Sequence, residues 1–169
     1  MSSFASTNTY INFGRIELVP TPSTFCTRFG HDVDRVGDKT VIVSAPGGVN
    51  GVSSNGCVYV FGEWGNLVST VMNPATFASN AMFGYAIAGI DAQTFVVGSP
   101  GFEPGADDNR GVAYVYATNG VQLSVLENPA ANPAGFKFGS SLAVVNPGRI
   151  VVGAPGADGG RGRVYVMSP

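Results

Sequence analysis

The apolar positions of this chain fall in short, evenly spaced runs. The most apolar are Thr40-Val41-Ile42-Val43-Ser44, Thr94-Phe95-Val96-Val97-Gly98 and Arg149-Ile150-Val151-Val152-Gly153. Each is rich in β-branched residues, too short for a helix, and stopped by a proline at Pro46, Pro100 or Pro155. That pattern predicts strands buried on both faces, with the proline at the terminus because it cannot donate to a ladder. The glycine after each proline suits a turn. A second set, Cys57 to Phe61, Val112 to Tyr116 and Arg163 to Val166, follows Gly56, Gly111 and Gly162. A third precedes the most apolar runs: His31 to Val36, Tyr85 to Ile90 and Ser140 to Val145. A fourth, Gly65 to Val71 and Gly120 to Leu126, leads through Pro-bearing linkers into the next unit. No stretch shows capped helical periodicity.

These runs belong to a repeat. Phe29-Gly30, Phe83-Gly84 and Phe138-Gly139 start its copies at intervals of 54 and 55 residues, and Ala45-Pro46-Gly47, Ser99-Pro100-Gly101 and Ala154-Pro155-Gly156 keep the same spacing. Tyr59-Val60, Tyr114-Val115 and Tyr165-Val166 mark the third strand of each copy. Four short antiparallel strands per ~50 residues predict a propeller blade. The fold expected is all-β, one domain over 1–169, with repeats at 29–82, 83–137 and 138–169.

The phrase Phe-Gly, then Val-Val-Gly-Ala-Pro-Gly, then Gly-x-Val-Tyr-Val resembles the FG-GAP repeat of integrin α-chain β-propellers and their bacterial and fungal relatives. The third copy, with Phe138-Gly139 and Gly153-Ala154-Pro155-Gly156, matches best. The resemblance implies a β-propeller used for extracellular recognition or adhesion, with no single ligand. Many such blades hold calcium in Asp-x-Asp-x-Asp-Gly between strands one and two. The matching stretches here, at Asp38, Asp91 and Asn146, lack alternating carboxylates. No metal or cofactor is therefore expected. Asp32 and Asp34, two residues apart on strand one, are read as solvated or locally bonded carboxylates in preference to a cation site.

In the third copy no fourth strand follows Val164-Tyr165-Val166, whereas Thr9 to Val19 reads like a fourth strand without the three before it. The expected arrangement is a half-propeller of three blades per chain, the third completed by residues 10–28. Closed propellers have about four to eight blades. Two chains are thus expected to form one six-bladed ring, a homodimer in which each opening strand closes the last blade of its partner; the rival readings are part of a longer propeller and a three-blade chain docked into a larger assembly.

Composition changes this picture little. Gly 24 and Pro 11 sit at fixed repeat positions and so mark turns, not disorder. Charged residues are 12% and the net charge is −2, with no basic block, which argues against nucleic-acid binding. No apolar run is long enough to span a bilayer, and Met1 to Tyr10 lacks the features of a secretion signal. Cys26 and Cys57 read as two small buried side chains, with a disulfide as the alternative.

The loop between strands two and three varies most among the copies, so its polar groups are the binding candidates: Asp107, Asp108 and Arg110 in the second copy, Asp158 and Arg161 in the third. Trp64, in the turn between strands three and four, is a candidate for stacking on a sugar or anchoring a partner. The recurring tyrosines and the Phe of each Phe-Gly are read as packing residues. With His31 the only histidine and no nucleophile or metal motif, an enzyme is not expected. The function expected is recognition or structure, with protein or carbohydrate bound at propeller loops. A lectin with sugar pockets between blades is one version, and an attachment block on a virion or cell surface is the other.

Overall fold

The structure is a computed structural model that describes residues 16–20, 26–48, 55–74, 80–102, 109–131 and 133–169. Its strands are β1 (Val33–Val36), β2 (Thr40–Ala45), β3 (Cys57–Gly62), β4 (Leu67–Met72), β5 (Ala86–Gly89), β6 (Thr94–Ser99), β7 (Val112–Ala117), β8 (Gln122–Glu127), β9 (Ser141–Asn146), β10 (Arg149–Ala154) and β11 (Arg163–Met167). They form three antiparallel meanders in chain order, β1-β2-β3-β4, β5-β6-β7-β8 and β9-β10-β11. The register repeats as the sequence does: Val43 faces Tyr59 in the first sheet, Val97 faces Tyr114 in the second and Val152 faces Tyr165 in the third. A bulge recurs at Val60/Phe61 and at Val115/Tyr116. One helical turn, Ala157–Gly160, stands where a loop was expected, and its Asp158 and Gly159 have left-handed backbone.

The sheets stack in sequence order. They approach most closely through their first strands, β1 against β5 and β5 against β9. Farther out the gap is filled by side chains. Each sheet thus has a near face toward the preceding sheet and a far face toward the following one. Between the first two sheets, Val36, Ile42, Val58, Val60 and Val71 meet Phe83, Phe95, Tyr114 and Tyr116. Between the second and third, Ala88, Ile90, Val96, Ala113, Val115 and Leu126 meet Phe138, Ile150, Val152 and Tyr165. Far faces are aliphatic and the aromatic rings are carried on the near faces among further aliphatic groups, so a similar surface chemistry serves both junctions. Burial drives the Tyr114 phenol up to about 12, with Glu127 adding to the effect, so this ring packs as a neutral group.

The Phe-Gly corner is the joint. The residue before it is left-handed in all three copies, at Arg28 (φ 66), Met82 (φ 51) and Lys137 (φ 54), and so is its glycine, with φ of 86, 86 and 90. Phe83 donates its N–H to the Asn55 carbonyl of the first sheet (3.2 Å), and Phe138 donates to Arg110 of the second (3.0 Å). The glycine after each proline does more than turn the chain. Gly47, Gly101 and Gly156 donate to Thr27, Ala81 and Phe136 (3.1 Å each), which ties the second strand to the linker entering its own sheet.

Asp32 and Asp34 bracket the first junction. Asp32 accepts from Val33 N–H (3.0 Å) on its own strand and from Ile87 N–H (2.9 Å) on the next sheet. Asp34 does the same with Arg35 (2.8 Å) and Gly89 (2.9 Å). The corresponding residues of the second sheet are Ala86 and Ala88, so this device is used once. Asp32→Ala leaves the Ile87 N–H without its carboxylate and is expected to lower unfolding free energy by about 1–3 kcal/mol. Urea unfolding with an unchanged m-value checks this, and a loss below about 0.5 kcal/mol would show that water replaces the carboxylate at no cost.

At the other end of the stack Ile16–Pro20 has no regular secondary structure. Most of the strand expected over Thr9 to Val19 lies outside the described residues. Leu18 packs on the near face of the first sheet beside Cys26, Phe29, Val43 and Tyr59. It occupies the role that Val71 takes on the second sheet and Leu126 on the third. Cys26 and Cys57 are joined by a disulfide with Cα atoms 6.1 Å apart, so the reading as two separate small side chains gives way to its alternative. Sequence spacing could not reveal this pair, because the linker carrying Cys26 folds back across the start of β3.

Candidate functional site

Antiparallel connectivity sorts the loops. Those joining second to third strands, and the linkers to the next Phe-Gly, all lie at one end of the sheets. The tight turns lie at the other. Arg110, Asp158 and Arg161 are therefore at the loop end, while Trp64 sits at the turn end, 72% exposed. The expected binding residues do not form one constellation. Asp107 and Asp108 lie outside the described residues.

A cleft of about 750 Å3 opens at the loop end on the third sheet. Tyr85, Lys137, Ser140, Arg161, Arg163 and Val164 are among its walls. Among the described residues Arg161 is the one expected site residue that reaches it. Asp158 stands beside it and accepts from Arg163 Nε at 2.7 Å; this bond holds the guanidinium pKa above its ordinary value. Lys137 and Arg163 are cleft residues that sequence reasoning did not single out. Lys137 stands where the other copies have Arg28 and Met82, and Arg163 where they have Cys57 and Val112. Alignment of Gly162-Arg163-Val164 with Gly56-Cys57-Val58 and Gly111-Val112-Ala113 is the signal that finds Arg163.

A smaller cleft of about 380 Å3 holds Arg110 with Phe102, Glu127 and Asn128. At the turn end a third, about 240 Å3, is lined by Arg35, Asp38 and Asp91. Asp91 is held below the usual carboxylate range, first by the Gln93 N–H (2.8 Å) and also by Thr94 (2.9 Å). Its charge serves the β5–β6 turn. Among the described residues no group of three His, Cys, Asp or Glu side chains is placed to hold a metal ion, and no helix is long and apolar enough to cross a membrane.

The far face of the third sheet is the other distinctive surface. Val145, Val164 and Val166 are 70%, 68% and 60% exposed. Their counterparts Ile90, Ala113 and Val115 in the second sheet, and Val36, Val58 and Val60 in the first, are at most 8% exposed. The same apolar face is thus covered twice and bare once. β11 is also the edge strand of its sheet. No family model matches the chain, and no curated protein is significantly similar to it.

Proposed function

We propose that this protein is a non-enzymatic recognition and structural module of the FG-GAP β-propeller kind, acting as a building or attachment block through the loop end of its sheets. The observation that carries this reading is the bare far face of the third sheet. An apolar sheet face of this kind marks an interaction site, and the two internal junctions support the ring-bearing near face of another blade as its cover. The approach of the sheets through their first strands supports a ring. Two chains give six blades, within the range of closed propellers, and a two-fold pair is the commonest oligomer. The segment Thr9 to Val19 then supplies the fourth strand beside the partner's β11, a reading supported by the seat of Leu18 on the first sheet.

The disulfide fits an oxidising surroundings, such as a cell or virion surface. Arg161, Arg110 and Asp158 then belong to the presented loop end, and protein is the partner class that this arrangement favours. The lectin version draws on the same cleft, where Tyr85 and Ser140 offer stacking and hydrogen bonding to a sugar. Native mass measurement at micromolar concentration is expected to give about twice the 17.4 kDa of the chain, with ring-shaped particles in negative stain. A monomer with an open arc of three sheets would end the two-chain reading. A saturable glycan-array hit would move the ligand class from protein to carbohydrate.

A further inference from the structure

We infer that the cleft on the third sheet is a socket for a Phe-Gly corner, and that Phe29-Gly30 of a second copy of this chain fills it. This rests on the reading of the sheets as blades of one ring.

The two internal junctions define the socket. Phe83-Gly84 seats on the first sheet: its Phe N–H bonds to Asn55, and its Phe carbonyl lies where a Cβ on Gly56 would be. A Cβ on Gly84 would meet the Cys57 carbonyl at 3.1 Å. Phe138-Gly139 repeats this on the second sheet. It bonds to Arg110, its carbonyl lies against Gly111, and a Cβ on Gly139 would stand 2.7 Å from the Val112 carbonyl.

On the third sheet the same positions are Arg161, Gly162 and Arg163, and they line the cleft. Gly162 has the backbone of a filled socket, φ +81 against +74 at both Gly56 and Gly111. Yet a Cβ there would meet nothing closer than 3.5 Å. The matching corner is at the other end of the stack. Gly30 has φ +86, as in the seated corners, but a Cβ on it would meet nothing within 4 Å. Val33 beside it is 56% exposed, where its counterpart Ile87 is 5% exposed.

The described residues thus carry one unused socket and one unused corner, formed alike and placed at opposite ends. Head-to-tail contacts of this type give filaments unless the rotation closes. Two copies of three blades close at six. That closure is why the occupant is a second copy and not an unrelated chain.

Across the first junction His31 lies against Tyr85, with rings 5.2 Å apart. The corresponding pair across the proposed contact is Ser140 of one copy and His31 of the other. The test combines native mass of the full chain with oxidative cross-linking of the double variant His31→Cys/Ser140→Cys, using each single variant as control. Expected are a dimer, a doubly linked dimer band only in the double variant, and a weakening of at least about 30-fold for Val166→Glu. Val166 is exposed in the single chain, so an unchanged circular dichroism spectrum accompanies that loss. A dimer that neither cross-links nor responds to Val166→Glu associates elsewhere; it overturns the socket while leaving a two-chain assembly standing. A monomer at tens of micromolar overturns both. Binding of an acidic sugar in the cleft of such a monomer would give the cleft to a ligand instead.

Discussion

Phe138→Ala is expected to cost about 3–5 kcal/mol of unfolding free energy. Phe138 is fully buried between the aliphatic far face of the second sheet and the near face of its own. Its ring packs against Tyr165 at 5.6 Å, and its backbone holds the second sheet through Arg110 and Gly111. Removing the ring leaves a cavity that the corner cannot collapse into, because the left-handed Lys137 and Gly139 fix the main chain on both sides. For a domain of this size the loss corresponds to a melting point roughly 6–20 °C lower. Phe29→Ala, at the half-buried corner of the first sheet, is expected to cost no more than about half as much in the isolated chain. Thermal and urea unfolding of both variants measures the contrast. A loss under about 1 kcal/mol for Phe138→Ala would mean that the sheets are held by something other than their Phe-Gly corners.

The contrast between these two phenylalanines also shows what was legible in the chain. The second and third strands of each copy were readable to within one residue, and the first and fourth strands in the described sheets to within two, because Gly and Pro punctuate the runs. Thr40–Ala45, Thr94–Ser99 and Arg149–Ala154 each exceed the expected span by a single residue. The stacking partners were readable as types, since tyrosine and Phe-Gly recur in register. What lay beyond the sequence was set by contacts between sheets. Asp32 and Asp34 look like solvent-facing carboxylates on a strand of alternating pattern. Their role as acceptors for Ile87 and Gly89 exists only when β5 lies alongside β1. Gly56 and Gly111 look like loop closers. Their lack of a side chain is needed because the next Phe carbonyl occupies that space.

The candidate site was legible in one residue only. Arg161 was reached by the rule that variable loops carry polar contacts. Arg163 lies at the first position of a strand, where Cys57 and Val112 are core residues, and it escaped that rule. A charged residue at a position that is buried elsewhere in the repeat is the better indicator. It says that this copy's surroundings differ from those of its siblings. The turn-end Trp64 was reached by residue type, and topology separates it from the loop-end groups.

Breaking the Cys26–Cys57 bond is the second large effect, expected at about 3–4 kcal/mol. The bond spans 31 residues, so opening it returns a sizeable loop entropy to the unfolded chain in the chain-entropy account. Its place in the stack makes the loss local as well as global. The second and third sheets each have a preceding sheet in the same chain to hold their entering corner. The first has none among the described residues, and the disulfide pins the linker before Phe29 to the start of β3. Cys57 is fully buried and Cys26 nearly so; alanine at both positions removes the bond without burying a hydroxyl. The double variant Cys26→Ala/Cys57→Ala is expected to melt roughly 6–16 °C below the parent, and reductant is expected to lower the parent by a similar amount while leaving the variant unmoved. Hydrogen exchange should rise first at Phe29, Gly30 and the near-face strand β3, because loosening the corner uncovers Tyr59 and Phe61 before it disturbs the inner junctions. If the two-chain ring forms, association restores part of this loss, because a neighbouring sheet then does for the first corner what the disulfide does in the single chain. A melting point independent of both reductant and protein concentration would show that neither restraint acts on the first sheet.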